Sequence, residues 1–372
     1  MPSLSPTIVN VNATVTSAPA ASTLQQSGCL VSVGGTSLTT NTSLYCANLA
    51  AVTAILSAAG NFAELTKMAT TFFAQSSAAG GPVGLYVLEI GAQGGVVATQ
   101  ITALGTWITA NPLVFYAFLL PAAWDTSNSA GVNTMAANYS SATGRTYFFV
   151  TTSSTNLSSY TNKAIFATVP SPTAATGEFQ AACPFYQWLA NSPAQATPAV
   201  PMGYRFVYGV TPWVYISTAG VNNLATIGTI LGGYGNVIIT GAEGGISTSM
   251  LTKGTTMDGN QAMLWYCVDW ILTNAKLYMA NAIINSSNSN TPILYNQQGI
   301  NSLLAVANQI CSSAVSFGLA LTAVTTATSF QAYTTANPSA YAAGTYNGFS
   351  CTVTPQLGFE SITFNLNATK FV

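Results

Sequence analysis

Residues 240–284 hold the most definite pattern of this chain, TGAEGGISTSMLTKGTTMDGNQAMLWYCVDWILTNAKLYMANAII. From Leu264 to Ile283, apolar residues recur at helical spacing along one face, which predicts a helix over residues 261–284. Asn260 precedes it and is a residue type that commonly caps a helix N-terminus. The helix would be about 36 Å long at 1.5 Å per residue. We expect it to be the central helix of the fold.

Polar residues within this helix argue against membrane insertion. Asp269, Asn274, Lys276 and Asn281 interrupt the apolar run, and each would be costly at bilayer depth. A largely buried helix of a soluble protein is therefore the preferred interpretation.

Charged residues are rare, with 7 Lys and Arg and 8 Asp and Glu in 372 residues. Glu243, Asp258 and Asp269 all fall in the quoted stretch. A pair of them could in principle cleave a glycosidic bond. Carboxylates this rare more often satisfy backbone donors, turns and the few lysines, so we expect structural roles, with Asp269 buried and hydrogen-bonded, and no enzyme activity.

Other kinds of functional site are excluded or disfavoured by composition. The chain has no histidine, which excludes Ser–His–Asp and Cys–His catalysis and histidine metal ligands. Its six cysteines form no CxxC pair, so we expect buried free thiols and neither a metal nor a cofactor. Seven basic residues, spread from Lys67 to Lys370, cannot form the basic stripe that nucleic-acid binding needs.

The low charge also bears on solubility and association. A net charge of −1 gives little repulsion between molecules, and such surfaces tend to associate. The chain is therefore either an ordinary charge-poor protein or, as we prefer, a subunit that works within a homo-oligomeric assembly.

Strand and helix patterns alternate from Cys29 onward, which is typical of βαβ units and a mostly parallel sheet. The predicted strands are residues 29–33, 83–90, 113–120, 146–152, 163–169, 204–208 and 236–240. The predicted helices are residues 48–58, 62–75, 97–109, 129–139, 178–189, 221–231, 261–284 and 298–317. Strand character is expected again after Gly318. We therefore predict an α/β body with a mostly parallel or mixed sheet and flanking helices.

Each end of the chain carries an alternating segment without an obvious hairpin partner. The apolar positions are Ile8, Val9, Val11 and Val15 at one end and Ile362, Phe364 and Leu366 at the other. Disordered termini are one interpretation; extended β arms that pair with a neighbouring subunit are the other. With arms, the predicted divisions are an N-terminal arm (1–26), two α/β domains (27–170 and 171–345) and a C-terminal arm (346–372).

Several phrases resemble tail sheath proteins of contractile-tailed bacteriophages. They occur in one order along most of the chain: LTKMATTFFA (65–74), YVLEI (86–90), YFFVTT (147–152), GAEGGIS (241–247), GTTMDG (254–259), WYCVDWI (265–271) and YNQQGIN (295–301). Sheath proteins of this kind usually carry many more charged residues, so no interface charge can be carried over from the resemblance.

The resemblance implies a structural subunit of a phage tail in the virion, made and assembled in the host bacterial cytoplasm. Such subunits polymerise as stacked rings or helical strands around the inner tail tube protein and are linked by terminal arms. They also meet baseplate and tail terminator proteins, and their contraction drives the tube through the host envelope. The alternative is a non-contractile array subunit, either surface-layer or capsid-like, which the charge-poor composition also fits.

Overall fold

The structure is a computed structural model that describes residues 24–77, 84–141, 144–194, 197–215, 222–240 and 248–360. Within these ranges the strands are β1 (Gly28–Ser32), β2 (Thr42–Cys46), β3 (Leu85–Glu89), β4 (Ala117–Leu119), β5 (Ser140–Ser141), β6 (Gly144–Arg145), β7 (Tyr147–Thr151), β8 (Ile165–Thr168), β9 (Ile238–Thr240), β10 (Ser249–Leu251), β11 (Ala320–Ala327) and β12 (Phe349–Pro355). The helices are α1 (Leu49–Thr53), α2 (Phe62–Ala74), α3 (Val97–Ala110), α4 (Ala122–Asn138), α5 (Ala182–Ala190), α6 (Leu224–Gly232), α7 (Ala262–Ser287), α8 (Gln297–Ser316), α9 (Phe330–Ala336) and α10 (Pro338–Ala342).

Six strands form the central sheet in the order β2-β3-β1-β4-β7-β8. Five of them run parallel, and β2 pairs antiparallel with β3 at one edge. The register places Cys29 beside Tyr86, Ala117 beside Tyr147, and Phe148 beside Ile165. The predicted α/β body with a mostly parallel, mixed sheet and flanking helices is therefore confirmed.

Helices cover both faces of this sheet because successive strand residues point to opposite sides. Leu30 and Phe149 pack with α2, α5 and α7, whereas Val31 and Phe148 pack with α3, α4 and α6. All five residues of β1 are buried, as expected for a parallel strand between two helical layers. Each fully buried Phe or Leu contributes about 1.5–3 kcal/mol of hydrophobic stabilisation.

The long helix α7 forms as predicted, with a different N-cap residue. It begins after Gln261, which occupies the N-cap position without a side-chain cap bond. Asn260 is not the cap; its amide donates instead to Asp258 Oδ2 at 2.8 Å. The prediction of Asn260 as the N-cap was wrong because the carboxylate two residues earlier takes its side chain.

Other predictions at the level of elements need correction. Residues 204–208 do not form a strand; Phe206 makes only an isolated bridge to Met250. The predicted strand at 113–120 is shortened to β4, because Leu113 adopts a positive φ of 58° in a turn and is exposed. The edge strand β2 was missed, as were α9 and α10.

Beyond α8 the chain forms a two-stranded antiparallel ribbon, β11–β12, with α9 and α10 between its strands. One face of the ribbon packs on α8, with Ala320 and Thr325 buried. On the rest of its surface Leu321 and Val324 are more than half exposed. The predicted arm residues, Ile8 to Val15 and Ile362 to Leu366, lie outside the described residues, and the four-part domain division stays a prediction.

Candidate functional site

Both ends of the described chain attach to the N-terminal half of α7. Near the first described residues, Gln25 is buried, and its Nε2 donates to Tyr266 O and to Tyr116 Oη, each at 3.1 Å. Near the last, Gln261 pairs with the backbone of Gly358, donating to its oxygen and accepting from its nitrogen, each at 2.9 Å. We call Gln25, Gln261 and Gly358, with Tyr266, the α7 anchor.

A second set of contacts holds the C-terminal side of this anchor. The Glu360 carboxylate accepts from Gln261 Nε2 at 3.2 Å and lies 3.9 Å from Lys253 Nζ. The Tyr204 hydroxyl donates to Glu360 O. The first and last described segments are thus held at the start of one helix, by its N-cap residue Gln261 and by Tyr266 five residues further along.

A buried ion pair connects α7 to β6, and a tyrosine of β7 connects the same carboxylate to the central sheet. The Asp269 carboxylate accepts from Arg145 Nη1, from Tyr147 Oη at 2.6 Å and from Tyr116 Oη at 3.0 Å. The Arg145 and Asp269 side chains are 5% and 4% exposed. Burial raises the pKa of Asp269 above its ordinary value, and Arg145 and the two tyrosine hydroxyls oppose that shift. The site therefore fixes the helix rather than presenting a carboxylate to solvent.

Trp265 joins this pair to two further charges. The Arg145 guanidinium lies 4.8 Å and Lys163 Nζ 4.9 Å from the centroid of the indole ring, where the π face attracts cations. The indole N–H donates to Asp258 Oδ2 at 3.0 Å. Arg145, Lys163, Asp258 and Asp269 around Trp265 form what we call the charge cluster.

Some of the predicted site residues lie in the charge cluster, and the others lie outside the described residues. Asp269 and Asp258 lie within the charge cluster; Asp258 also accepts from Thr256 Oγ1 at 2.7 Å and shapes the turn before α7. Glu243 lies outside the described residues, as do the apolar arm positions. The structural role assigned to all three carboxylates stays a prediction.

Three buried or half-buried carboxylates at the carboxyl ends of the parallel strands were missed by the sequence reasoning. Glu89 accepts from Gly34 N, Gly91 N and Thr36 Oγ1 at 2.6–2.7 Å, which holds the loop after β1. In open α/β sheets this edge is where ligands bind. Glu89 is 2% exposed, so it faces the protein and not a crevice.

The other two carboxylates at this edge are likewise used internally. Asp125 accepts from Thr152 Oγ1 at 2.7 Å and Tyr160 Oη at 2.8 Å. Glu64 accepts from the backbone nitrogen of Ala122 at 2.8 Å, at the start of α4. Only Glu89, at the end of the predicted strand 83–90, carried a positional signal in the sequence; Glu64 lies in the predicted helix 62–75 and carried none.

A surface groove of about 730 Å³ lies between α3 and α4. Thr102, Thr106, Thr109, Asn128 and Asn138 contribute polar groups to it, and no charged residue lines it. Within the described ranges, no group of three or more Cys, Asp or Glu side chains is placed to hold a metal ion. Nor is any helix in that part of the chain long and apolar enough to cross a membrane.

Known proteins match this chain in fold and not in sequence. No protein-family model matches the sequence, and no curated protein does. A chain in a cryo-EM structure of the anti-feeding prophage baseplate matches with a TM-score of 0.62 and 12% identity, over 98% of this chain and 100% of that one. In the contracted state of that baseplate, a chain matches with a TM-score of 0.52 and 10% identity, over 99% of each.

A crystal structure of a sheath tail protein from Listeria innocua matches with a TM-score of 0.51 and 9% identity, over 83% of this chain and 89% of that one. At these identities the likeness concerns the fold. The resemblance to contractile tail sheath proteins seen in the sequence is confirmed at that level.

Proposed function

We propose that this chain is the structural subunit of a contractile phage tail sheath, which polymerises around an inner tail tube and shortens to drive the tube through the host envelope. The observation that carries the proposal is the fold match over 98% of this chain and all of a chain from the anti-feeding prophage baseplate. The proposal includes a place in the virion tail, with assembly in the host cytoplasm.

Terminal arms that exchange between subunits account for the α7 anchor. Fully extended, residues 1–23 would reach about 80 Å and residues 361–372 about 40 Å. A folded chain of this length has a radius of gyration of about 21 Å. Each end is therefore long enough to contact a neighbouring subunit, and avidity from several arms would hold the polymer together.

The acceptor for an arm, in this proposal, is the β11–β12 ribbon. An extended peptide can add to the edge of a two-stranded ribbon through main-chain hydrogen bonds. Part of the β11 edge is already used, because the backbone nitrogen of Thr325 donates to Asn308 Oδ1 at 2.9 Å. Ile8, Val9, Val11 and Val15, or Ile362, Phe364 and Leu366, would supply the alternating side chains. An arm seated there would also cover the exposed Leu321 and Val324.

The α7 anchor would also serve contraction. Subunits that swing as rigid bodies need their linkers attached to a part that does not deform. The anchor holds both ends at one helix, which Asp269 joins to β6 through Arg145 and to the central sheet through Tyr147. The partners in this proposal are other copies of the chain, the tail tube, the baseplate and the tail terminator.

Negative-stain microscopy of the purified full chain tests the proposal. We expect tubes, in an extended narrow form and a shorter wide form. Deleting residues 1–23 or 361–372 should leave a folded protein that forms no tubes, whereas Leu113→Ser, an exposed change in a turn, should assemble normally. Flat lattices, or isolated particles at concentrations well above micromolar, would overturn the sheath assignment. Normal tubes from both deletions would leave the sheath assignment and reject strand exchange.

A further inference from the structure

Two cysteines from distant parts of the chain meet between α8 and the ribbon. Cys311 Sγ lies 3.6 Å from Cys351 Sγ and 3.3 Å from Thr325 Oγ1. Thr325 and Cys351 are direct cross-strand partners in β11 and β12, so both project from one face of the ribbon toward α8. The two thiols are therefore placed together by the fold and not by sequence proximity.

The two cysteines differ in solvent exposure, which favours oxidation in two steps that begin at Cys351. Cys351 is exposed, whereas Cys311 is 1% exposed. A disulfide bond needs a sulfur–sulfur distance of about 2.0 Å, so the two side chains must approach by about 1.6 Å in total. Burial raises the pKa of Cys311, which makes it slow to react with a reagent in solution and leaves Cys351 to react first.

We propose that Cys311 and Cys351 form a reversible disulfide when the protein meets a small-molecule disulfide, and that this bond joins β12 covalently to α8. The Cys351 thiolate attacks one sulfur of the reagent, forming a mixed disulfide and releasing one thiolate. The Cys311 thiolate then attacks Cys351 Sγ, forming the protein disulfide and releasing the second thiolate. Two protein thiols are oxidised, and one reagent disulfide is reduced to two thiols that take up the two protons lost by the protein.

The consequence concerns the strand that leads to the C-terminal end of the described chain. β12 is held by its ladder to β11 and by packing of Val353 against the main core. A disulfide bond between Cys351 and Cys311 would keep β12 from separating from α8. This holds whether or not the chain forms a sheath, so its failure would leave the proposed function untouched.

Tryptic digestion can show which cysteines pair, because the few basic residues of the chain give long peptides that place Cys267 apart from Cys311 and Cys351. Lys276 and Lys370 are consecutive cleavage sites, so residues 277–370 form one peptide that carries both cysteines. Cys267, which is buried, lies on the preceding peptide, residues 254–276. Its pKa is raised to about 12, first by burial and then by Cys351 and Asp269, so it is the nearby competitor.

To test the proposal, the native full chain is incubated with oxidised glutathione and its free thiols are then blocked with N-ethylmaleimide. The masses of the tryptic peptides are measured by mass spectrometry. We expect peptide 277–370 to be lighter by two hydrogens and unblocked, and reduction to restore both thiols. Cys351→Ser and Cys311→Ala should lose this product, whereas Cys267→Ala should keep it. Oxidation should also raise the urea midpoint of the wild type and not that of Cys351→Ser.

Several results would reject the disulfide. They are a persistent glutathione adduct on Cys351, N-ethylmaleimide on both cysteines after oxidation, a cross-link between peptides 254–276 and 277–370, or a cross-link between two chains. If Cys311→Ala fails to fold, the exposed Cys351→Ser variant still decides the outcome.

Discussion

Asp269→Ala should lower the free energy of unfolding by about 3–5 kcal/mol, the cost of removing one partner from a buried ion pair. The change leaves the Arg145 guanidinium charged in a site where its side chain is 5% exposed. It also removes the acceptor of the Tyr147 hydroxyl. Tyr116 keeps one partner, because Gln25 Nε2 still reaches its oxygen.

A compensated variant separates the cost of an unpaired charge from the value of the pair itself. Arg145→Met with Asp269→Leu and Tyr147→Phe removes both charges and the Tyr147 hydroxyl, and it leaves the Tyr116 hydroxyl with Gln25 as a hydrogen-bond partner. Replacing a buried pair by apolar groups of similar volume is often neutral or stabilising. Loss of the Arg145 cation beside Trp265, where Lys163 remains, costs about 0.5–2 kcal/mol. We therefore expect this triple variant to lie within about 2 kcal/mol of the wild type.

Urea unfolding of the monomeric full chain, followed by tryptophan fluorescence, measures these differences. With an m-value of about 3 kcal/mol/M, Asp269→Ala should lower the midpoint by about 1–1.7 M. Glu360→Gln is the matched control, because its ion pair with Lys253 is 3.9 Å long and exposed, and such pairs contribute about 0–1 kcal/mol. A loss below about 1 kcal/mol for Asp269→Ala, or a triple variant less stable than the single one, would refute the reasoning.

Three further predictions concern the anchor, pH and salt. Gln261→Ala removes both bonds to Gly358 and should increase amide exchange there by a factor corresponding to about 1–3 kcal/mol, whereas the exposed Gln298→Ala should leave it unchanged. Burial raises the pKa of Asp269 and Glu64, so the folded state binds protons more tightly than the unfolded state. Their contribution to stability is present in acid and is lost as pH rises through the folded pKa values. The urea midpoint should therefore not fall between pH 7 and about pH 5, and a fall would contradict the raised pKa values. The buried tyrosines and cysteines also have raised pKa values, so by the same sign stability should decline above about pH 9. Added salt at about 0.1 M, where charges are screened beyond about 10 Å, should leave turbidity and tube images unchanged; disassembly would mean that surface ion pairs hold the contacts between subunits.

Local patterns in the sequence were sufficient for most of the body. The helical spacing from Leu264 to Ile283 predicts α7 to within a few residues, and the apolar runs predict the parallel strands. Periodicity works there because one face or both faces of each element are buried, which constrains the residue type at each position. The edge strand β2 carries no such constraint, since four of its five residues are exposed, and it was missed.

The charge cluster could be predicted only in part. The apolar neighbours of Asp269 suggest burial, but its partner Arg145 is 124 residues away in the sequence. No local pattern connects the two, because the contact arises from the packing of α7 on the sheet. The error at Asn260 has a similar origin: the residue type suits a helix cap, and a competing carboxylate at Asp258 takes its amide.

The placement of the carboxylates bears on how a chain with 4% charge could fold and also assemble in the way we propose. All seven carboxylates in the described ranges accept hydrogen bonds from groups of the same chain: Glu64, Glu89, Asp125, Glu178, Asp258, Asp269 and Glu360. Each fixes a loop, a helix start, the charge cluster or the α7 anchor. These carboxylates stabilise the subunit, because their hydrogen bonds are made within the same chain. In the proposed sheath, contacts between subunits would then rest mainly on main-chain pairing, amides, hydroxyls and apolar side chains. Such contacts depend little on salt, and an assembly built from them would keep its geometry where surface ion pairs are screened.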